Sequence, residues 1–168
     1  ELSPSISNLE ESICKWFSTK LGFSDSAGGI AASGGTLSNL NALVAARHNS
    51  GLESDKNAVF LTSEDAHSSF AKCCRILGLD KNNLIKIKTD NNGCMDIIDL
   101  VRTIDKCNED GQKIFSIIAT LGTTIRGAID PIEDISRICN DRNIWLHIDG
   151  SIGGIFAITK IRVNGISS

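Results

Sequence analysis

A histidine and an aspartate lie two residues apart where an apolar run of the sequence ends. The run reads Asn143-Ile-Trp-Leu-His-Ile-Asp149, and glycine-rich backbone (150–154) follows at once. Side chains alternate between the faces of a strand, so His147 and Asp149 share one face. A carboxylate at the carboxyl end of a buried strand lies where open α/β sheets bind ligands, and it needs a cation, a donor or water as partner. The alternative is that Asp149 caps a helix or is hydrated.

A second segment joins glycines to the start of a predicted helix. Ser33-Gly-Gly-Thr36 precedes a helical run that ends near Arg47. Gly34, Gly35 and the Thr36 hydroxyl could hold a phosphate, because glycines admit close approach and a helix N-terminus carries about half a positive charge. The segment is neither a P-loop nor a G-x-G-x-x-G motif. A small-residue turn packed against a neighbour explains it equally well.

Two further polar segments follow predicted strands. In Ser63-Glu-Asp-Ala-His67, the imidazole of His67 could stack on a planar ligand, bind a metal or cap a helix. A metal is disfavoured because no histidine or cysteine has ligand spacing, and an isolated histidine is more often structural. Ala119-Thr-Leu-Gly-Thr-Thr124 ends another strand in a hydroxyl-rich turn, and the cluster of Thr120, Thr123 and Thr124, which no turn requires, favours a functional site over the alternative of a polar loop before a helix.

Together these four segments offer an anion-binding loop, an imidazole, hydroxyls and a carboxylate. Such a set suits a planar, cationic heterocycle that carries a phosphate. Pyridoxal phosphate fits, with its phosphate on the glycine segment, its ring under the imidazole and its ring nitrogen at the carboxylate.

The remaining pattern predicts the elements that position these groups. A Ser7-x-x-Glu10 capping box and helical periodicity predict a helix from about residue 6 to 20. Strands and helices then alternate, which indicates an α/β fold with a mostly parallel sheet flanked by helices. Strands are predicted at 58–62, 84–88, 114–119 and 144–149, and helices at 36–47, 68–77, 95–107 and 132–139.

Composition and charge narrow the classes of function. The 168 residues suit one domain, and the net charge of −3 argues against a nucleic-acid partner, since such proteins are usually basic. No apolar run approaches the roughly 20 residues that span a bilayer, and no signal peptide opens the sequence, so no membrane partner is expected. The six cysteines lack metal or disulfide spacing and indicate buried thiols in a reducing cytoplasm.

The polar segments resemble motifs of the group II decarboxylases, which use pyridoxal phosphate and include aromatic-amino-acid, glutamate, diaminobutyrate and histidine-type members. The likeness runs nearly end to end and keeps the family's order. Its five parts are Ser3-Pro4 with Leu9-Glu10-Glu11 and Trp16, Ser33-Gly-Gly-Thr36 with Asn39, Asp65-Ala-His-Ser-Ser69, Ala119-Thr-Leu-Gly-Thr-Thr124 and Trp145-Leu-His-Ile-Asp149.

The resemblance implies a fold-type I large domain that binds pyridoxal phosphate and removes CO2 from an L-amino acid, leaving an amine. Gly34, Gly35 and Thr36 would hold the phosphate. His67 would stack on the pyridine ring and help to orient the substrate carboxylate, and Asp149 would pair with the protonated ring nitrogen.

Two further residues take roles from the resemblance. Thr120 would lie near the Asp149 and His67 side chains. Ser151 would lie against the opposite ring face, where many members have alanine, and this departure affects ring packing rather than cofactor binding.

The resemblance also implies that residues 1–168 form the central part of the large domain, with a leading helix at 1–22 and an alternating cofactor-binding core at 23–168. The family's Schiff-base lysine, mobile-loop tyrosine, N-terminal segment and C-terminal small domain have no counterpart in the sequence, and Lys160 stands in the wrong context for that lysine. We therefore expect this segment alone to be inactive, and the full-length protein to be a cytoplasmic homodimer.

Two alternatives stay open. The first is a truncated, catalytically inactive relative that binds the cofactor or acts as a partner subunit. The second is a related fold-type I enzyme such as a lyase or desulfurase, which the opening motif with Trp16 disfavours.

Overall fold

A four-stranded parallel sheet forms the centre of the computed structural model, which describes residues 3–159. The strands are β1 (Ala58–Ser63), β2 (Leu84–Ile87), β3 (Lys113–Thr120) and β4 (Trp145–Asp149), in the spatial order β2-β1-β3-β4. All neighbouring strands are parallel, so their carboxyl ends meet at one edge of the sheet. That edge is where open α/β sheets bind ligands.

Helices cover both faces of this sheet. The helices of residues 3–159 are α1 (Pro4–Lys20), α2 (Gly35–Asn49), α3 (Ser69–Ile76), α4 (Ile97–Glu109), α5 (Ile132–Arg142) and α6 (Gly154–Ala157), with a 3-10 turn at Lys81–Asn83, and α2 to α5 are the ones that pack on the sheet. On one face, α2 and α3 pack around Phe60 and Phe115 of the two central strands. On the other, α4 and α5 pack around Ile117. β1 is buried along its whole length, as a parallel strand covered on both faces must be.

The α/β class and all the predicted strands and helices are confirmed, with boundaries that differ by at most three residues. α4 begins two residues later than predicted because the Asp96 carboxylate accepts hydrogen bonds from the N–H groups of Ile98 and Asp99 and so forms its N-cap. α5 extends three residues further and ends at Arg142, and the next residue, Asn143, caps it with a left-handed φ of 53°. Asparagine tolerates that conformation better than most residues.

The capping box predicted at the first helix is wrong. α1 begins earlier, at Pro4, with Ser3 as its N-cap, because the fixed φ of proline suits the first helical position. Ser7 lies inside the helix, and the Glu10 carboxylate instead accepts a hydrogen bond from the Ala31 N–H at 2.8 Å. Glu10 therefore attaches the segment before the glycines to α1.

Two short elements were not predicted, the 3-10 turn and α6, because each is too short to show a periodic pattern. Within residues 3–159, no helix has the length and apolar character needed to cross a membrane. Lys160 lies outside the described residues.

Candidate active site

A cavity of about 280 Å³ opens at the carboxyl edge of the sheet, between the start of α2 and the loops that follow β1, β3 and β4. Six of the seven site residues predicted from the sequence line it, and the seventh, Gly34, directly precedes α2. Its lining consists of Gly35, Thr36, Asn39, His67, Thr120, Gly122, Thr123, Thr124, Asp149, Ser151 and Ile152. The fold therefore brings together residues that are spread over more than a hundred positions of the sequence.

The start of α2 forms one wall of this cavity. Gly34 is the N-cap with a φ of 106°, a conformation that side-chain-bearing residues rarely adopt. Gly35 lies so close to β4's loop that an added Cβ would be 2.7 Å from the Ser151 hydroxyl oxygen. The N–H groups of Gly35 and Thr36 belong to the first turn, where no helical carbonyl can accept from them. The wall can therefore donate hydrogen bonds to an anion.

Asp149 lies at the end of β4 and is almost fully buried. Its Oδ1 accepts hydrogen bonds from the Ser151 hydroxyl at 2.7 Å and the Ser151 N–H at 3.1 Å. Its Oδ2 accepts from the Asn39 amide at 3.0 Å. The β3–β4 register places Thr120 directly beside Asp149. The carboxylate is thus shielded from bulk solvent and accepts three hydrogen bonds. It still borders the cavity.

Asn39 also lines the cavity, and the sequence reasoning placed it in one of the five motifs but assigned it no role in the site. It is 3% exposed and contacts three other polar side chains: its Nδ2 donates to Asp149 and to the Ser69 hydroxyl, and its Oδ1 lies 2.9 Å from His147 Nε2. One signal was available, because Asn39 follows Gly35 by four residues and so projects from the same side of α2.

His67 adopts one of the alternatives left open by the sequence, the helix cap, and it also lines the cavity. Its Nδ1 accepts a hydrogen bond from the Ser69 N–H at 3.2 Å, so the imidazole caps the start of α3. The same side chain lines the cavity. Because Nδ1 is an acceptor, the neutral ring carries its proton on Nε2. Within the described residues, no cluster of three histidine, cysteine or carboxylate side chains could hold a metal ion.

The loop after β3 is held in place by a buried carboxylate. Asp130 accepts one hydrogen bond from the Thr120 N–H and one from the Met95 N–H, both at 2.7 Å. Burial raises the pKa of Asp130 above its usual range, although both hydrogen bonds oppose that shift. Thr123 serves the loop itself by accepting from the Ala128 N–H. The Thr120 hydroxyl, in contrast, is buried without a hydrogen-bond partner in residues 3–159.

The chain matches the pyridoxal-dependent decarboxylase conserved domain over residues 1–167. It belongs to this family. An aromatic-L-amino-acid decarboxylase of Bacillus atrophaeus is 36% identical over 145 residues, which are 86% of this chain and 30% of that protein. Acidic amino acid decarboxylase GADL1 of Xenopus tropicalis is 37% identical over 161 residues, which are 92% and 31% of the two proteins. The chain spans about a third of the length of these relatives.

Solved structures show the same architecture. The glutamate decarboxylase domain of a Vibrio parahaemolyticus diaminobutyrate-pyruvate transaminase and L-2,4-diaminobutyrate decarboxylase superposes with a TM-score of 0.89 at 27% identity, covering 94% of this chain and 37% of that one. Mouse CSAD in its apo form superposes with a TM-score of 0.88 at 30% identity, covering 94% and 34%. The resemblance drawn from five motifs is confirmed, and pyridoxal phosphate is the cofactor that goes with this family.

Proposed function

We propose that the protein containing this sequence uses pyridoxal phosphate to decarboxylate an L-amino acid, releasing an amine and CO2. The observation that supports this most directly is that Asp149, His67, Thr120 and the start of α2 line a single cavity. When bound, pyridoxal phosphate supplies an electron-accepting ring for the electron pair that departing CO2 leaves behind.

The chemistry of the cavity suits this cofactor. We assign Gly34, Gly35 and Thr36 to the phosphate, with the N–H groups of Gly35 and Thr36 and the Thr36 hydroxyl as donors, since they lie at the positive end of the helix dipole. The small residues matter because a Cβ at Gly35 would meet Ser151 at 2.7 Å and narrow the entry. Ser151 forms the part of the cavity wall next to Asp149, and we assign it to the ring face opposite His67.

Asp149 is the residue that we assign to the ring nitrogen. A carboxylate about 4 Å from a pyridinium gains roughly 4 kcal/mol at an effective dielectric constant of about 20, before desolvation is counted. This attraction favours the protonated ring and therefore the electron-accepting form. Thr120 is Asp149's neighbour on β3, its hydroxyl has no hydrogen-bond partner within residues 3–159, and we assign it to the same site as a donor.

His67 is assigned to the ring face and to the substrate. Its Nδ1 accepts a hydrogen bond from the Ser69 N–H, and this bond to the start of α3 fixes the orientation of the imidazole ring. The remaining Nε2–H can donate a hydrogen bond to a carboxylate of the substrate. His67 can therefore orient the bond to be broken without changing its own tautomer.

A lysine that holds the cofactor must come from elsewhere. Among the described residues, no lysine lines the cavity. We propose that this lysine lies outside residues 3–159 of the whole protein. The competing proposal is an inactive relative that binds the cofactor, or a partner subunit, and it gains weight if the complete reading frame contains no such lysine. The family match favours decarboxylation over lyase or desulfurase chemistry.

We also propose that the whole protein is a homodimer. Its support is the α1 apolar face, which we define as Ile6, Leu9, Ile13, Trp16 and Phe17. These side chains are 40% to 67% exposed, and residues 3–159 bury no residue of α1. An apolar patch of this kind marks a surface that another part of a protein covers.

A reducing compartment, the cytoplasm, is the location that we propose. All six cysteines are free thiols, and Cys73, Cys74, Cys107 and Cys139 are buried. Burial raises the pKa of Cys139 to about 11, so this thiol stays protonated and unreactive at neutral pH.

The test is expression of the complete reading frame, followed by assay of CO2 release from glutamate, 2,4-diaminobutyrate, histidine and aromatic amino acids. We expect turnover of at least one of them and an absorption band of bound pyridoxal phosphate. Asp149→Ala should keep the band, because the phosphate site persists, and should lose most of the turnover. A protein that binds the cofactor and decarboxylates none of these substrates would favour the inactive relative, and native turnover in Asp149→Ala would remove Asp149 from the mechanism.

A further inference from the structure

We infer that Asn39 is a positioning residue that acts on the cofactor through Asp149, and that His147 fixes the orientation of the Asn39 amide. The inference rests on the proposed pairing of Asp149 with the ring nitrogen. It adds two residues, from α2 and from inside β4, that touch neither the ring nor the substrate in that proposal.

The three side chains form a continuous row in which Asn39 and Asp149 are buried and His147 is half-buried. The Asn39 amide nitrogen is 3.0 Å from Asp149 Oδ2, and the Asn39 amide oxygen is 2.9 Å from His147 Nε2. His147 lies two residues before Asp149 on the same face of β4, and its ring meets the edge of Phe70 at a centroid distance of 6.3 Å. Asn39 itself is 3% exposed, so its contacts are shielded from bulk solvent.

Only one arrangement of hydrogens satisfies this row. An ionised carboxylate can only accept hydrogen bonds, so the Asn39 NH2 group must face Asp149. The Asn39 carbonyl then faces His147, and His147 Nε2 must carry the proton that it donates. Burial lowers the pKa of His147, which keeps this ring neutral at pH 7, while the nearby Asp149 charge opposes the shift. The charge of Asp149 thus determines the amide orientation, and the His147 proton secures it.

The consequence concerns the direction of the Asp149 carboxylate. Ser151 holds Oδ1 and Asn39 holds Oδ2, so both oxygens are fixed relative to the cavity. Without the Asn39 donor, Oδ2 would lose its charge-assisted hydrogen bond and the carboxylate could rotate away from the ring nitrogen. We therefore expect loss of the Asn39 hydrogen bond to weaken the interaction between the Asp149 carboxylate and the ring nitrogen.

The experiment compares two ligands that differ at the ring nitrogen. In the protein from the complete reading frame, Kd is measured for pyridoxal phosphate and for its 1-deaza analogue, in which a C–H replaces the ring nitrogen. The ratio of the two Kd values reports the ring-nitrogen preference, which a purely structural defect would not change. The variants are Asn39→Asp and His147→Phe, and the control is Asn41→Asp, which makes the same substitution on another side of α2.

The expected result is a clear preference for pyridoxal phosphate in the native protein and in Asn41→Asp. Asn39→Asp should lower the preference at least about tenfold, because a second carboxylate replaces a donor that makes a charge-assisted hydrogen bond. His147→Phe, which keeps the ring packing on Phe70 and leaves the number of carboxylates unchanged, should lower it by a smaller factor.

Three outcomes would overturn the inference, and they differ in what else they imply. Native preference in both Asn39→Asp and His147→Phe, even with weaker binding of both ligands, would make the row purely structural. A native protein that decarboxylates but shows no ring-nitrogen preference would refute the pairing of Asp149 with the ring and leave the proposed activity standing. A native protein that binds neither ligand would refute the proposed function as well.

Discussion

His67 and Thr120, at the carboxyl edge of the sheet, each make a hydrogen bond within the protein and leave one polar side-chain atom for a ligand. His67 uses Nδ1 to cap α3 and keeps Nε2 for the cavity. The Thr120 N–H is bound by Asp130, while its hydroxyl has no partner in the described part of the chain. Such fixed groups cost no reorganisation when a ligand binds, which is the usual source of catalytic advantage in an active site.

Two substitutions of His67 separate its stacking from its hydrogen bonding. His67→Phe keeps a planar ring over the cofactor and removes the Nε2–H, so we expect near-native cofactor affinity and a kcat lower by about 10²- to 10⁴-fold. His67→Ala should weaken cofactor binding as well, because the ring face is lost. Both are measured by cofactor titration and by kcat, with the exposed His48→Ala as control. A native kcat in His67→Phe would reduce His67 to a cap of α3.

At the scale of elements, most of the fold was predictable from the sequence because hydrophobic periodicity is local. The four strands and the helices that pack on them follow from that pattern, whereas the start of α4 depends on the Asp96 cap and shifted by two residues. The site residues that lie at the start of α2, or at and just after the ends of β1, β3 and β4, were predictable, because those places are visible in the sequence pattern. Asn39 was missed because its partner, Asp149, is 110 residues away and depends on how α2 packs against β4.

The connection between β3 and α5 provides a stability prediction. Asp130→Ala leaves the Thr120 and Met95 N–H groups buried without their acceptor. Each such loss costs about 1–3 kcal/mol, so the free energy of unfolding should fall by about 2–6 kcal/mol. Urea titration measures it, and the exposed Asp141→Ala on α5 should change it by less than about 0.5 kcal/mol. An equal effect of the two substitutions would contradict the role of Asp130.

The same carboxyl predicts a pH dependence. Burial raises the pKa of Asp130 above 3.8, so its protonated form is favoured in the folded state. The stability that this preference contributes is fully present below pH 3.8 and is lost as the pH rises through the folded pKa. The stability difference between the native protein and Asp130→Ala should therefore shrink with rising pH in repeated urea titrations. A difference that grows with pH would mean that the two N–H donors outweigh burial.

At the scale of the whole molecule, the sheet is covered by packed helices, whereas the α1 apolar face is exposed. The sheet has helices on both faces and buries its apolar side chains, with fully buried β1 at its centre. α1 instead buries no residue in the described range 3–159, and its Glu10 and Lys15 side chains make hydrogen bonds to backbone atoms of Ala31 and Asp25 in the segment that follows it. The chain spans about a third of its relatives, so the cover for the α1 apolar face is to be sought in the whole protein.

The proposed homodimer predicts that a charge on the α1 apolar face will change the mass of the whole protein in solution. Ile13→Glu places a carboxylate in the centre of that face, and burying it unpaired at an interface would cost several kcal/mol. We expect the variant to be monomeric in sedimentation equilibrium at concentrations where the native protein is a dimer. Asn8→Glu adds the same charge on the opposite side of α1 and should stay dimeric. If Ile13→Glu is dimeric too, with unchanged stability, a second copy does not cover this face, and if it is only destabilised, the protein's own remaining chain covers it.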